Sequence, residues 1–337
     1  AMAKTAKSSS GTPFLSRVLF VFVPIFVVIL GVIAVWQSNL TPMIHTAAVV
    51  KMDPAAVLRN KEAAREMFYH AYNNYLDHAF PKDELAPISC SGHDTENCRG
   101  CLLTFYDALD TLAVLGNRSE YQRVVNWIIN NGAATFDRDV SVSVFETNIR
   151  VLGSLLSNHM LASDPDLDLM PGYQGGLLKL AIDVGSRLIR AFDTETGLPY
   201  GSINFRAGVR PGETTVSATA TGGTVLLEFH LLSKLSGIKL FRKAADRAAR
   251  ALWDRRSKLG LLGSHIDVQT GAWVYTDSGI GGGIDSFFEY LYKAHLLTGK
   301  RKYLTMFKQG YKAIMKHTRH HDGVWHVDVE MASGSVM

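Results

Sequence analysis

Apolar side chains recur at intervals of three and four residues through most of the chain after Ala55. This spacing is the period of an amphipathic helix, whereas a half-buried strand would place an apolar residue at every second position. Short loops containing Gly, Pro or Asp separate the apolar runs, as is usual between antiparallel helices. The pattern therefore predicts an all-α fold. We expect its helices at 57–79, 102–115, 119–131, 142–160, 174–192, 217–236, 239–256, 283–298 and 301–317.

The predicted hairpins need neighbours on both sides, because each amphipathic helix must bury its apolar face. We therefore expect them to pack around a common axis as a helical toroid. The sequence has no strict internal repeat, which disfavours a solenoid. Two segments, 273–276 and 324–329, alternate as short strands would. Residues 330–337 carry no helix stop signal, so we expect the fold to be incomplete at its C-terminal end.

An uncharged apolar run, VLFVFVPIFVVILGVIAVW, lies near the N-terminus. It is long enough to cross a bilayer as a helix and ends at a Trp, a residue typical of membrane interfaces. Basic residues precede it, so the positive-inside rule predicts a cytosolic N-terminus and a lumenal remainder. A cleaved signal peptide is the alternative. We expect a cytosolic tail at 1–17, a transmembrane signal-anchor at 18–36, a stem at 37–54 and a folded domain at 55–337.

The composition is that of a globular protein, with 47% hydrophobic and 20% charged residues in a chain of 337. The formal net charge is +4. Lysines and arginines are interspersed with acids along the helical segments rather than clustered. Nucleic-acid binding requires a clustered basic face, so this function is disfavoured.

Two Asn-x-Ser/Thr sequons, at Asn39 and Asn117, fit a protein of the secretory pathway. We predict both as glycosylation sites.

Three cysteines lie close together in the sequence, Cys90, Cys98 and Cys101. In an oxidising compartment two of them can pair and leave the third free. With His93 they also form a C-x2-H-x4-C-x2-C set that could hold zinc, and the sequence leaves both alternatives open. Cys90 could also join an oxidoreductase partner through a mixed disulfide.

The most informative positions are acids within apolar helical segments. Glu146 and Arg150 lie four residues apart in SVFETNIRVLG (143–153), where they share one helix face and can pair. Apolar residues surround them on most sides, so we expect this helix to be buried nearly all round. A carboxylate there is unfavourable unless it is paired, hydrogen-bonded or functional. Glu146 is therefore a candidate catalytic group, although a surface ion pair is the simpler interpretation.

A second acidic segment, GIGGGIDSFFEYL (279–291), places Asp285 at or near a helix start, where free N–H groups favour a carboxylate. Helix capping alone could explain that position. Glu289 follows one turn later among aromatic residues, and two like charges at this spacing do not serve stability. Asp107 and Asp110 repeat the pattern at i, i+3. We predict a catalytic role for Asp285 and substrate-binding roles for Glu289 and Asp110.

Paired acids lined by aromatic rings are what glycoside hydrolysis requires. One carboxylic acid protonates the leaving oxygen, and a second carboxylate activates water or attacks the sugar. The glycine-rich segment lacks the Lys of a phosphate-binding loop, and the chain has no Gly-x-Ser-x-Gly motif. The sequence therefore favours a glycoside hydrolase over a nucleotide-binding protein or a serine hydrolase.

The same residues resemble glycoside hydrolase family 47, the class I α-1,2-mannosidases, and most closely the endoplasmic-reticulum degradation-enhancing α-mannosidase-like proteins. The resemblance runs from about Lys61 to the C-terminus in family-like order and spacing. It rests on the motifs MFYHAY (67–72), DEL (83–85), DALDTL (107–112), SVFETNIRVLG (143–153), GLPY (197–200), LEF (227–229), GAWV (271–274) and DSFFEYL (285–291).

The resemblance implies an (α/α)7 barrel, an inverting mechanism, bound Ca2+, and high-mannose N-glycans on misfolded glycoproteins as substrate. Together with the apolar segment at 18–36, it predicts a single-pass type II protein of the endoplasmic-reticulum membrane with a lumenal catalytic domain. Glu146 resembles the family's general acid, Asp285 its base or water-positioning aspartate, and Arg150 its mannose-site arginine. The family's other catalytic glutamates and its calcium-binding threonine have no counterpart before residue 337, so we expect this chain alone to be inactive. The alternative is a non-catalytic glycan-binding or scaffolding protein of endoplasmic-reticulum quality control.

Overall fold

The computed structural model describes residues 53–337. The chain divides into two units between Ala63 and Ala64. The first unit contributes residues 53–63, which include the first part of helix α1 (Pro54–His78). The apolar segment at 18–36 lies outside the described residues. Within 53–337 no helix is long and apolar enough to cross a membrane.

Helices dominate the second unit, so the prediction of a helical fold is confirmed. A π-helical turn spans Thr147–Leu152, and a 3-10 turn spans Ile189–Phe192. The helices after α1 are α2 (Leu103–Asp107), α3 (Leu109–Val114), α4 (Arg118–Phe136), α5 (Val144–Glu146), α6 (Gly153–Ser163), α7 (Gly176–Leu188), α8 (Thr219–Gly223), α9 (Leu226–Ser236), α10 (Lys239–Asp254), α11 (Asp285–Thr298) and α12 (Arg301–His317).

Short antiparallel strands occupy the connections between the helices. The predicted strand at 273–276 is confirmed, whereas the one predicted at 324–329 is wrong except for its last residue, which begins a two-residue strand. The strands are β1 (Glu84–Ala86) paired with β2 (Ser91–His93), β3 (Ser141–Ser143) with β4 (Ser202–Asn204), β5 (Val216–Ala218) with β6 (His265–Asp267) and β6 with β7 (Trp273–Tyr275), and β8 (Asp277–Ser278) with β9 (Val329–Glu330).

The helices pack as hairpins in which a leading helix contacts the helix that follows it. The pairs are α3 with α4, α6 with α7, α9 with α10, and α11 with α12. The leading helices also contact one another in chain order, α3 with α6, α6 with α9, and α9 with α11. Because the two helices of a hairpin are antiparallel, successive leading helices run in the same direction and begin at the same end of the row.

A close approach between α8 and α11 depends on Gly223. A Cβ added there would lie 2.1 Å from Cδ2 of Phe287, which is fully buried. The absence of a side chain at this position lets α11 pack directly on α8, and full burial of a Phe contributes roughly 1.5–3 kcal/mol. This contact fixes the start of α11, where Asp285 lies.

Strands stabilise the end of the row at which the leading helices begin. β3 ends at Ser143, immediately before α5, and β5 ends at Ala218, immediately before α8. β8 precedes the glycine-rich segment that leads into α11. The helix starts are therefore held by backbone pairing as well as by the apolar core.

Candidate active site

Glu146 is the last residue of α5, which continues through the π-helical turn into the leading helix α6. Ser143 is the N-cap residue, and its Oγ accepts a hydrogen bond from the N–H of Glu146 at 3.2 Å. Before the cap, β3 is paired with β4. After Glu146, the π-helical turn widens the helix by one residue, a feature found frequently at functional sites. The local structure thus places the carboxylate at the strand-to-helix junction.

The predicted pairing of Glu146 with Arg150 is present. Nε of Arg150 lies 2.7 Å from Oε2 of Glu146, and a terminal nitrogen of the same guanidinium lies 2.8 Å from Oδ2 of Asp107. The exposed fractions of the three side chains are 21% for Glu146, 40% for Arg150 and 37% for Asp107. The prediction of a helix buried nearly all round is therefore wrong on this face, which stays accessible to solvent.

This cluster has one guanidinium for two carboxylates. With Glu146 and Asp107 both ionised it carries a charge of −1, so one added proton would neutralise it. Partial burial raises the pKa of Asp107 above its ordinary value, and the bond from Arg150 opposes that rise. The carboxyl of Asp107 therefore takes up a proton more readily than an ordinary aspartate.

Asp285 is the first residue of α11 and is exposed. Its Oδ1 accepts hydrogen bonds from the N–H of Ser286 at 2.7 Å and from the Ser286 hydroxyl at 3.1 Å. The Ser286 Oγ in turn accepts a bond from the Thr224 hydroxyl at 2.8 Å. The prediction that this acid stands at a helix start is confirmed. Apart from Ser286, no hydrogen-bond partner of its carboxylate is found within residues 53–337, which leaves one oxygen open to solvent.

A third acid, Glu228 on α9, connects the two helices that carry Glu146 and Asp285. Its Oε2 accepts a bond from Nδ2 of Asn148 at 2.9 Å, and its Oε1 accepts one from the Tyr290 hydroxyl at 2.8 Å. Asn148 lies two residues beyond Glu146, and Tyr290 lies five beyond Asp285. The helix α8, just before α9, also contacts both α5 and α11. Glu146 and Asp285 thus lie at helix starts on either side of α8, at the same end of the row.

Glu228 is the site residue that the sequence reasoning missed. The residue is 8% exposed, and burial raises the pKa of its carboxyl to about 6, while the bonds from Tyr290 and Asn148 oppose the rise. A signal was available, because Glu228 stands in the apolar helix LLEFHLL just as Glu146 stands in its own. Glu228 could therefore be recognised from the sequence by the same pattern as Glu146.

The two predicted substrate-binding acids have other hydrogen-bond partners. Glu289 is exposed, and its carboxylate pairs with Nζ of Lys293 at 2.5 Å. Asp110 is partly buried and accepts a bond from the Ser157 hydroxyl at 3.3 Å. Neither is joined to Glu146 or Asp285 by a hydrogen bond within the described residues, so their substrate-binding roles stay predictions.

The structure pairs Cys98 with Cys101 in a disulfide and leaves Cys90 as an exposed thiol. This arrangement decides between the alternatives of disulfide and zinc, because His93 lies apart from the pair and contacts Glu84 instead. Cys90 lines a cavity of about 540 Å³ that contains neither Glu146 nor Asp285. An oxidoreductase partner at this thiol stays a prediction.

Asn117 has a structural role at the start of α4. Its Oδ1 accepts a bond from the N–H of Glu120 at 3.2 Å, and its Nδ2 donates to the hydroxyl of Tyr69 at 3.0 Å. A glycan on Nδ2 would replace one hydrogen of that amide. The second sequon, at Asn39, lies outside the described residues. Glycosylation at both positions stays a prediction.

One group within residues 53–337 brings three possible metal-ligating side chains together, Asp83, Cys98 and Cys101. The two sulfurs are paired in the disulfide. The Asp83 carboxylate accepts bonds from backbone N–H groups, including Gly100 at 2.7 Å and Leu102 at 2.8 Å. Ca2+ takes six to eight oxygen ligands, so this group does not fit a calcium ion.

Comparison with known proteins covers most of the chain. Residues 67–334 match the sequence model of glycosyl hydrolase family 47. ER degradation-enhancing alpha-mannosidase-like protein 2 of Mus musculus is 48% identical over 286 residues, which are 84% of this chain and 48% of the relative. Alpha-mannosidase I MNS4 of Arabidopsis thaliana is 47% identical over 292 residues, 86% of this chain and 46% of the relative.

Among solved structures, an alpha-1,2-mannosidase from Trichoderma reesei is similar, with a TM-score of 0.73 and 28% identity. The match covers 81% of this chain and 59% of that chain. The chain spans about half the length of the curated relatives it matches.

Proposed function

This chain belongs to glycosyl hydrolase family 47, and from that premise we propose that it supplies the acid site of an α-1,2-mannosidase that trims high-mannose N-glycans. The substrates are glycans on misfolded glycoproteins, and the trimming serves their degradation from the endoplasmic reticulum. The names of the relatives, which include ER degradation-enhancing proteins and an alpha-mannosidase I, support this assignment.

One geometric observation carries the proposal. Glu146 and Asp285 lie at the starts of helices that flank α8 and α9, and Glu228 of α9 joins those helices through Asn148 and Tyr290. Two solvent-accessible carboxylates held by different helices at one end of a helical array are the arrangement that glycoside hydrolysis needs.

The roles follow from how each acid is held. Glu146, held at its helix start by the pair with Arg150, is the general acid that protonates the leaving glycosidic oxygen. Asp285, exposed and hydrogen-bonded within these residues only to Ser286, positions or activates the attacking water. Arg150 keeps Glu146 in place and contributes hydrogen-bond donors to the sugar site. This division corresponds to an inverting mechanism, in which water attacks the face opposite the protonated oxygen.

We propose that Ca2+ binds in the full-length enzyme. The possible ligand group found within residues 53–337 does not fit this ion. When bound, a hard cation of this kind would hold sugar hydroxyls and water through its oxygen coordination. No step above passes through it.

The wider architecture is part of the same proposal. We infer that the hairpins belong to an (α/α)7 barrel and that the protein is a single-pass type II membrane protein with this domain in the lumen of the endoplasmic reticulum. The hairpin packing of the leading helices and the apolar segment at 18–36 support these inferences.

The test uses the full-length protein with a high-mannose N-glycan and Ca2+, and mannose release is measured by mass spectrometry of the glycan. We expect the wild type to release mannose and Glu146→Gln to lose that activity. The matched control is Asp166→Asn, an equally isosteric change at an exposed acid in the loop between α6 and α7. Release by Glu146→Gln at the wild-type rate would remove Glu146 from the mechanism.

A glycan-binding or scaffolding protein without hydrolytic activity is the other outcome of that experiment. It would retain the glycan on an affinity column without changing the mass of the glycan. The exposed thiol of Cys90 gives this alternative a point of attachment for an oxidoreductase. Trapping a mixed disulfide with the wild type but not with Cys90→Ser would support such a partner.

A further inference from the structure

A histidine, His265, lies close to the proposed active site. His265 is on β6, opposite Ala218 of β5, and Ala218 immediately precedes α8. On its other side, a Cβ added at Gly283 would lie 3.4 Å from Cε1 of His265. Gly283 stands two residues before Asp285. The backbone of His265 therefore lies beside the start of α8, and its imidazole lies against Gly283, close in the chain to the acid that we assign to the attacking water.

A hydrogen-bond chain sets the tautomer of this ring. The hydroxyl of Ser264, a buried residue, donates to Oδ1 of Asp277 at 2.7 Å. The Ser264 Oγ then accepts from Nδ1 of His265, which lies 2.9 Å away. Because the hydroxyl proton is already directed at the carboxylate, Nδ1 must carry the proton. In that tautomer Nε2 is an acceptor, and no partner for Nε2 is found among residues 53–337.

The surroundings of the ring offer a surface and a space suited to a sugar. Tyr275 of β7 is 55% exposed, and its ring lies edge-on to His265 with the centroids 5.1 Å apart. Beyond Gly283, a Cβ at Gly281 or Gly282 would meet no atom within 4 Å. An exposed aromatic face, a fixed acceptor and open space stand side by side at this position.

We propose that His265 and Tyr275 form a subsite for a second mannose residue of the glycan, adjacent to the sugar that is cleaved. This inference rests on the proposed function, since it assigns a further part of the same substrate. A hydroxyl of the mannose donates to Nε2 of His265, and an apolar face of the sugar packs on the Tyr275 ring. Asp277, behind Ser264, and Asp285 would repel an anionic ligand, which favours a neutral sugar.

The experiment measures binding by titration calorimetry in the full-length protein carrying Glu146→Gln, so that hydrolysis does not interfere. The two ligands are a high-mannose N-glycan and methyl α-mannoside, which fills the cleavage site alone. Adding His265→Ala or Tyr275→Ala should raise the Kd for the glycan about three- to tenfold, the size of one lost hydrogen bond or ring contact. The Kd for methyl α-mannoside should stay unchanged.

Two conservative variants separate binding from misfolding. Tyr275→Phe keeps the ring and should bind the glycan as the parent does. His265→Gln keeps an amide acceptor on a side chain of similar reach and should recover part of the loss seen with His265→Ala. Thermal midpoints of all variants should stay within a few degrees of the parent.

The outcomes distinguish the two proposals. A glycan Kd unaffected by His265→Ala and Tyr275→Ala, in a protein whose wild type releases mannose, would overturn the subsite alone. A wild type that binds the glycan but never releases mannose would overturn the proposed hydrolysis and leave the subsite to stand on the binding data. A protein that binds neither ligand would overturn both.

Discussion

Glu146 and Asp285 occupy equivalent places at the starts of leading helices, yet the structure holds them in opposite ways. Glu146 follows a paired strand and a serine cap, and its carboxylate is bonded to Arg150. Asp285 follows a run of glycines and is bonded only to Ser286 within the described residues. The Glu146 carboxylate is therefore held by an ion pair, whereas the Asp285 carboxylate has an oxygen that is open to solvent.

This difference in how the two carboxylates are held fits their proposed roles in hydrolysis. A general acid must keep a constant position relative to the leaving oxygen, so a rigid cap and an ion pair are useful to it. A group that positions water needs an unoccupied oxygen, and partners on that oxygen would compete with the water. Glu228 lies between them and holds the distance from one helix to the other.

The largest effect is expected from exchanging each acid for its amide. Glu146→Gln and Asp285→Asn should each lower mannose release from the glycan about 100- to 10 000-fold. An aryl mannoside with an acidic leaving group needs no proton, so it should restore activity to Glu146→Gln and not to Asp285→Asn. Rates on both substrates give the measurement. Equal rescue of the two variants would contradict the division of roles.

The next effect concerns the connection between the two helices. Glu228→Ala should lower the free energy of unfolding by about 3 kcal/mol, because it leaves a cavity and removes the acceptor of the Tyr290 hydroxyl. Urea denaturation measures the change, with Asp166→Asn as the surface control. A loss below about 1 kcal/mol would mean that Glu228 does not join the helices.

The pH dependence of stability should also report on Glu228. Its pKa is raised from 4.5 to about 6 in the folded protein, so the folded state binds the proton more tightly than the unfolded state. Its stabilising contribution is present below about pH 4.5 and is lost as the pH rises through about 6, by about 2 kcal/mol in total. The difference between wild type and Glu228→Gln in denaturation from pH 4 to 7 isolates this change. A constant difference would contradict the raised pKa.

A smaller effect is expected at the cap of the Glu146 helix. Ser143→Ala should lower the free energy of unfolding by about 1 kcal/mol, since it removes the acceptor for the Glu146 N–H. Ser143→Thr keeps a hydroxyl and serves as the control. If both variants unfold at the same urea concentration, the cap does not contribute to holding Glu146.

The smallest effect should come from Glu289, which resembles Asp285 in sequence context and differs from it in structure. Its pair with Lys293 is exposed, so Glu289→Gln should change the free energy of unfolding by no more than about 0.5 kcal/mol. A weaker Kd for the glycan at unchanged stability would support the predicted substrate-binding role. An unchanged Kd would remove Glu289 from the site.

Local signals made the helices and both acids predictable. The apolar period located the leading helices, and an acid inside an apolar segment marked Glu146. The partners of Glu228 were not predictable in this way, because Asn148 and Tyr290 are 80 and 62 residues away in the chain. The hydrophobic periodicity of one segment does not indicate which other helix it will contact. These contacts are seen only in the folded structure.

The errors have local physical causes. The segment predicted as one helix at 217–236 begins inside strand β5 and breaks between α8 and α9, since pairing with β6 outweighs helix propensity at Ser217 and Ala218. The alternating segment at 324–329 forms a named strand only at its last residue, because the pairing with β8 covers just the two residues of β9.

The π-helical turn at Thr147–Leu152 gives the chain one extra residue between the acid and the buried part of its helix. Removing a single residue from that turn would restore ordinary α-helical winding and rotate Glu146 by about 100° around the helix axis, while the buried residues of α6 stayed where they are. The direction in which this carboxylate points is therefore set by the length of a six-residue segment as well as by the pair with Arg150.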